Sequence, residues 1–402
     1  MFKVKNGMDK LDFLTFELEE LKRANLLRKP VCIESAQAAS VRIDGEEKIV
    51  FCSNNYLGLA GDPRVIDAVI ESVKKYGHGA AASRLISGTM QPHLELESEL
   101  AKLFDKEATL VFPSGWTANE AVIKTLASKG DLLLLDKLDH ASIIDAARNS
   151  GAEFHSYRRE NLGRIEKFLS GEYRRKFIIT ESIFSMDGDA ADLKQLVELK
   201  NKYDAFLIVD EAHAFGCMGE KGAGLAEELG VLDEVDIVVA TMSKALGSAG
   251  GVVAAARSVI DMLVNKARSF IYTTAPTVAN CAAALAAVRI MTDEPQRRER
   301  LRQNSEYLRG RLCELGIDTV ASISHIIPVI IGGEKEALAV SRHLYERGFF
   351  VVAIRPPTVA PGTSRLRLSV QSEHTREQID RLCDVFEQMI KAGLLPVRSK
   401  QG

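Results

Sequence analysis

Between residues 108 and 256 six short apolar runs follow one another: "ATLVF" (108–112), "DLLLLD" (131–136), "KFIITES" (176–182), "AFLIVD" (205–210), "DIVVATMS" (236–243) and "GGVVAAA" (250–256). They are continuous rather than alternating, so both faces of each strand are covered, and stretches of helical length separate them. That is the pattern of a mostly parallel sheet between two layers of helices. The chain therefore reads as an α/β protein with a large doubly wound domain over residues 55–290. At 402 residues it exceeds the length at which one core stops growing, about 250–300 residues. Beyond 290, "HIIPVIIG", "FFVVAI" and "SRLRLSV" with the closing helix "TREQIDRLCDVFEQMIKAG" predict a smaller α+β domain over 291–402. Residues 1–54 are left as an N-terminal arm. Its helix carries Leu11, Leu14, Leu18 and Leu21 on one stripe, to be covered by the chain's own body or by a partner chain.

In open parallel sheets the ligand lies beyond the carboxyl ends of the strands, so polar residues that close apolar runs are the candidates. They are Ser114, the segment from Asp136 to His140, Glu181, Ser185, Asp210, His213, Thr241, Ser243 and Lys244. A lysine is by default a solvated side chain. Sheltered at a strand tip, Lys244 has another reading: an amine of depressed pKa that forms a Schiff base with a carbonyl compound. Asp210 ends a buried strand, where an isolated charge is costly and a cation is wanted. The pyridinium nitrogen of pyridoxal phosphate is such a cation, and enzymes that use this electron sink pair a Schiff-base lysine with an acid. In "PSGWTANEAVIKTLA", Ser114 and Gly115 precede a helix whose free N–H groups and dipole favour a phosphate, although the same pattern serves simple capping. Thr241 and Ser243 add hydroxyl donors. His140 and His213 can equally be core histidines. A metal held by Asp210 and His213 lacks a third ligand, so no metal is expected. Gly219, Gly222 and Gly224 do not form the dinucleotide pattern, which disfavours a nicotinamide cofactor.

A net charge of −3 without long like-charged blocks, and the lack of a basic recognition helix, disfavour nucleic acid as a partner. The start "MFKVKNGMDKLDFLTF" shows no apolar leader. "VANCAAALAAVRIM" is too short to span a bilayer and is broken by Asn280 and Arg289. Six cysteines without close pairing suggest reduced thiols and a cytoplasmic setting, with no membrane partner.

"DEAHAFGCMGEKGAG", with Lys244 of "TMSKALGSAGG" 34 residues after Asp210, joins "FCSNNYLGLAGDP", "SRLISGTMQPHLELESELA", "DHASIID" and "FSMDGD". Together these motifs resemble the α-oxoamine synthases, pyridoxal-phosphate enzymes of the fold type I, aminotransferase-like class, from about residue 28 to residue 385. The resemblance implies that Lys244 carries the cofactor and that Asp210 meets its ring nitrogen. It implies that His213 and Ser185 contact the phenolic oxygen and that His140 stacks on the ring. Gly115, Trp116 and Thr241 would hold the phosphate, with Thr273 and Thr274 reaching in from the second subunit of a homodimer. The implied reaction is an acyl transfer in which an amino acid joins an acyl-CoA thioester with loss of CO2. Arg367 would grip the amino-acid carboxylate, and Arg28, Asn54 and Thr358 would line the substrate site. The stretch "AIRPPTVAPGTSRLRLSVQSEHTREQID" is most similar to members that use L-alanine and a pimeloyl thioester. Asn55 and "HASIID" are similar to members that use glycine and acetyl-CoA, and Ser243 and the alanines of "GHGAAASRL" replace usual glycines. A regulatory protein that binds the same cofactor is the non-enzymatic alternative. Glu211 receives no role.

Overall fold

The computed structural model describes residues 10–159 and 161–395; the first nine residues, on which the expectation about a leader partly falls, lie outside them. After the hairpin β1 (Ser40–Ile43) and β2 (Glu46–Val50) come β3 (Ala108–Phe112), β4 (Leu132–Asp136), β5 (Glu153–Tyr157), β6 (Lys176–Glu181), β7 (Phe206–Asp210), β8 (Ile237–Thr241) and β9 (Gly251–Ala255). The last seven form one sheet in the order β3-β9-β8-β7-β6-β4-β5, parallel throughout except β9, which runs against both β3 and β8. All six apolar runs are strands of this sheet. Every residue of β3, β4, β8 and β9 is buried, because apolar clusters under the two helix layers cover both faces. β5 was not anticipated. It lies at one edge of the sheet, and of "EFHSY" only Tyr157 is buried, so it lacks the apolar run that marks its neighbours.

The C-terminal segment supplies β10 (Ile326–Gly332), β11 (Phe349–Phe350), β12 (Ala353–Ile354) and β13 (Ser364–Ser369). β10, β13 and β12 make an antiparallel sheet, whereas β11 pairs in parallel with β2. The run "FFVVAI" is therefore divided between two sheets, and the N-terminal hairpin shares a sheet with C-terminal residues. Helix Arg376–Lys391 opens on a capping box between Thr375 and Gln378. Helix Asp12–Arg23 buries none of its residues, so within one chain Leu14, Leu18 and Leu21 of the leucine stripe stay exposed. Among the described residues no helix is long and apolar enough to cross a membrane.

His374 ties these small sheets together. Its ring stacks on Phe51 at 4.0 Å and its Nε2 donates to Val50 O at 2.9 Å, while Phe51 itself bonds Phe350 and Ser369 through its backbone. Burial lowers the imidazole pKa to about 4, with the Val50 carbonyl pulling the other way. The unfolded chain binds this proton below about pH 6.5 and the folded chain does not, so the contribution is complete above that value and is lost as pH falls toward 4. His374→Gln should therefore decline less than wild type between about pH 7.5 and 5, by about 2 kcal/mol, in urea denaturation of the cofactor-free protein at the two pH values.

Candidate active site

The carboxyl ends of β6, β7 and β8 lie side by side, with Glu181 opposite Asp210 and Asp210 opposite Val239. Asp210 is buried; its Oδ2 accepts from Asn119 Nδ2 at 2.8 Å and its Oδ1 from Ala212 N at 2.9 Å. Asn119 belongs to helix Gly115–Leu126 and also donates to Ser142 Oγ at 3.1 Å, which in turn sits 2.8 Å from His140 Nδ1. That helix starts on a capping box between Ser114 and Thr117. A Cβ on Gly115 would lie 3.3 Å from Thr241 Cβ, and one on Gly251 would strike Ser114 O at 2.4 Å, so β9 passes the turn only because residue 251 has no side chain. Trp116 stands edge-on to His140 with ring centres 5.8 Å apart. Thr241 Oγ1 donates to Gly250 O at 2.9 Å and lies 2.8 Å from Ser243 Oγ.

A second chain of contacts starts at Lys244, whose Nζ is 2.9 Å from His213 Nε2. His213 Nδ1 is 2.8 Å from Tyr56 OH, which donates to Asn54 Oδ1 at 2.9 Å. Arg367 donates from Nη2 to Tyr56 OH at 3.1 Å, from Nη1 to Asn54 Oδ1 at 3.1 Å and Ser369 Oγ at 3.0 Å, and from Nε to Ser185 O at 2.5 Å. Because the Tyr56 proton is given to Asn54, His213 must donate from Nδ1 and accept from Lys244 at Nε2; the opposite tautomer leaves Tyr56 and His213 both as acceptors. Burial, then the Lys244 and Arg367 charges, hold the His213 pKa well below the ordinary imidazole value, so the ring is neutral. Burial of the Lys244 amine lowers its pKa, opposed by Asp210 and Glu181. Glu181 is raised by burial and then by Asp210. His140 is lowered, again chiefly by burial.

The strand-end candidates Lys244, Asp210, His213, His140 and Thr241 thus meet with Gly115, Trp116, Asn54, Ser185 and Arg367. Ser185 joins through its carbonyl. Arg28 and Thr358 form a separate group: Arg28 Nη2 donates to Pro356 O at 2.8 Å and Thr358 N to Arg355 O at 3.2 Å. Thr273 and Thr274 follow helix Arg268–Ile271, and no hydrogen bond among the described residues links them to Lys244's neighbours. Tyr56, Asn119 and Ser142 were not anticipated. The only signal for Asn119 is a polar residue on the buried side of an apolar helix; Tyr56 reads as core. A cavity of about 380 Å³ opens beside Lys244, lined by Ile33, Gln37, Cys52, Asn54, Ser243 and Phe350 among others. No cluster of three or more potential metal ligands occurs among the described residues.

A model of the aminotransferase class I and II family matches residues 46–386. An 8-amino-7-oxononanoate synthase of Symbiobacterium thermophilum is 44% identical over 378 residues, 93% of this chain and 96% of that protein. A solved serine palmitoyltransferase with pyridoxal phosphate superposes at a TM-score of 0.91, with 31% identity, covering 97% of this chain and 100% of that one. An 8-amino-7-oxononanoate synthase of Francisella tularensis superposes at 0.75, with 28% identity, covering 87% and 99%. The family model, the relatives and the solved structures match over most of the chain, which belongs to the aminotransferase class I and II family, in its α-oxoamine synthase branch.

Proposed function

We propose that the chain is a pyridoxal-phosphate-dependent acyltransferase that joins L-alanine to a pimeloyl thioester with loss of CO2, giving 8-amino-7-oxononanoate for biotin synthesis. The observation that carries this reading is the bonded chain Lys244–His213–Tyr56–Arg367, which sets a base and a carboxylate grip in one network. The substrate pair rests on the similarity to 8-amino-7-oxononanoate synthases.

The residues fit the cofactor. Asp210 is a buried carboxylate whose hydrogen bonds come from two neutral donors, so a pyridinium N–H would supply the cation it needs. Gly115 and Thr241 lie close together at a helix start, where N–H groups favour a phosphate. Lys244 would hold the cofactor, Asp210 its ring nitrogen, His213 and Ser185 its phenolic oxygen, and His140 its ring face. Gly115, Trp116 and Thr241 would take the phosphate, with Thr273 and Thr274 of a second copy. The exposed side chains of Leu14, Leu18 and Leu21 and the exposed Tyr272 beside Thr273 support a homodimer with shared sites. The setting is the cytoplasm, in line with six free cysteines.

When bound, pyridoxal phosphate supplies an electron sink that stabilises negative charge at the amino-acid α carbon. Lys244 has the depressed basicity a general base needs: its neutral amine takes the α proton, and His213 Nε2 fixes the direction of that amine. Arg367 spends four of its five N–H donors on Ser185, Asn54, Ser369 and Tyr56, which locks the guanidinium; the fifth remains for the substrate carboxylate. Arg28 and Thr358 would line the substrate site. Asn55, shared with glycine-using members, accepts from Ala60 N and donates to Gln37 O, so its amide is engaged by backbone and does not favour the glycine reading.

Substrate choice is checked by CoA release from glycine, alanine and serine, each against acetyl, succinyl, pimeloyl and palmitoyl thioesters. Alanine with the pimeloyl thioester should lead every other pair by at least about tenfold in kcat/KM. Glycine with acetyl-CoA in front would replace the assignment.

A further inference from the structure

Glu211 has no part in the chemistry above, yet it is fully buried, directly after Asp210 and two residues before His213. Its carboxylate takes three donors: Ser182 Oγ at 2.5 Å and Leu225 N at 3.0 Å on Oε2, and Ala226 N at 2.8 Å on Oε1. Ser182 directly follows β6, and Leu225 and Ala226 open the short helix Leu225–Glu228. The approach depends on Gly224, at φ +122°, where a Cβ would meet the Glu211 carboxylate at 2.5 Å. The main chain of Glu211 closes the same turn. Its N–H bonds Val239 O on β8 at 2.7 Å, and its carbonyl accepts from Ala214 N at 2.9 Å and Phe215 N at 2.7 Å. The loop that presents His213 is thus hung on this residue by backbone and side chain together.

We propose that Glu211 is a positioning residue, a brace that holds the loop after β7 so that Asp210 keeps its direction toward Asn119 and His213 toward Lys244. The proposal rests on the functional reading given above. All three side-chain partners are donors, so only an acceptor-only group suits the place; a glutamine of equal shape turns an N–H2 onto one of them and leaves a buried donor unpaired. Burial pushes the Glu211 pKa up to about 7, with the neighbouring Asp210 adding to this, while the three donors pull it down. Above that range the carboxylate is charged and the clamp complete.

The test uses the cofactor-loaded enzyme at about pH 8.5, above the range in which Glu211 titrates, and compares Glu211→Gln and Ser182→Ala with wild type. Its readouts are kcat and KM for the amino acid, the visible circular dichroism of the bound cofactor, and thermal stability. Glu211→Gln should lower kcat roughly 10- to 100-fold, change KM by less than about twofold, and weaken the visible dichroism. Ser182→Ala removes one donor and keeps the carboxylate, so it should move kcat and dichroism in the same direction by less. If both variants lose only thermal stability and keep wild-type kcat and dichroism, the proposal is overturned. Should Glu211→Gln fail to fold, Ser182→Ala decides alone, and unchanged kcat and dichroism there overturn it equally. A wild-type protein that takes up no pyridoxal phosphate is a different result, which removes the functional reading and this proposal with it.

Discussion

Lys244→Ala is expected to lower turnover by at least about 10⁴-fold, because in the proposed mechanism one atom, Nζ, would both hold the cofactor and move the substrate proton. The loss should not come from unfolding. Lys244 is half-buried, and the side-chain hydrogen bond it gives up among the described residues is the one to His213, which remains held by Tyr56. Asp210 keeps both of its donors in the variant, so the cofactor should still bind without the covalent link. Two measurements check this. Borohydride treatment of wild type should fix cofactor mass on the peptide that contains Lys244 and bleach the yellow colour; the variant should release its cofactor on denaturation. A variant that still consumes thioester at the wild-type rate would remove Lys244 from the mechanism.

How much of this was legible in the sequence follows from burial. Strands covered on both faces must be apolar at every position, so a charged residue at the end of such a run has few reasons to be there, and Asp210, His213 and Lys244 stand out. β5 carries no such mark because only one of its five residues is buried, whereas β3, at the opposite edge of the sheet, is covered at every position. "FFVVAI" reads as one strand because nothing local shows that its halves pair with different partners, β2 and β13. Arg367 and Asn54 were reached only through the family resemblance. Tyr56 was missed because a fully buried aromatic looks like core, and its hydroxyl finds His213 only across 157 positions of chain. Asn119 and Ser142 were hidden in the same way, since each supports a site residue and neither ends a strand. The leucine stripe of the first helix was readable as amphipathic, but within a single chain Leu14, Leu18 and Leu21 remain exposed.

Asp210→Asn should lower kcat by about 10²- to 10⁴-fold, with cofactor still bound, because the reaction needs a charge that keeps the ring nitrogen protonated. The substitution also disturbs hydrogen bonding. Asp210 accepts from Asn119 on one oxygen and from Ala212 N–H on the other, and an asparagine can accept on only one side, so one buried donor is left facing another. That defect alone should cost roughly 1–3 kcal/mol of stability. Exchanging the pair separates the two effects. In the double variant Asn119→Asp with Asp210→Asn, the amide at 210 can donate to the carboxylate at 119 while accepting from Ala212, and the Ser142 hydroxyl, which accepts from Asn119 in wild type, can turn to donate to residue 119, so the pairing is restored with its polarity reversed. Thermal stability should return to within about 1 kcal/mol of wild type. Turnover should stay near that of Asp210→Asn, because the negative charge no longer stands at the end of β7. Recovery of both would mean that the hydrogen bond rather than the charge is what the site requires; recovery of stability alone leaves the carboxylate of Asp210 as the group that makes the ring an electron sink.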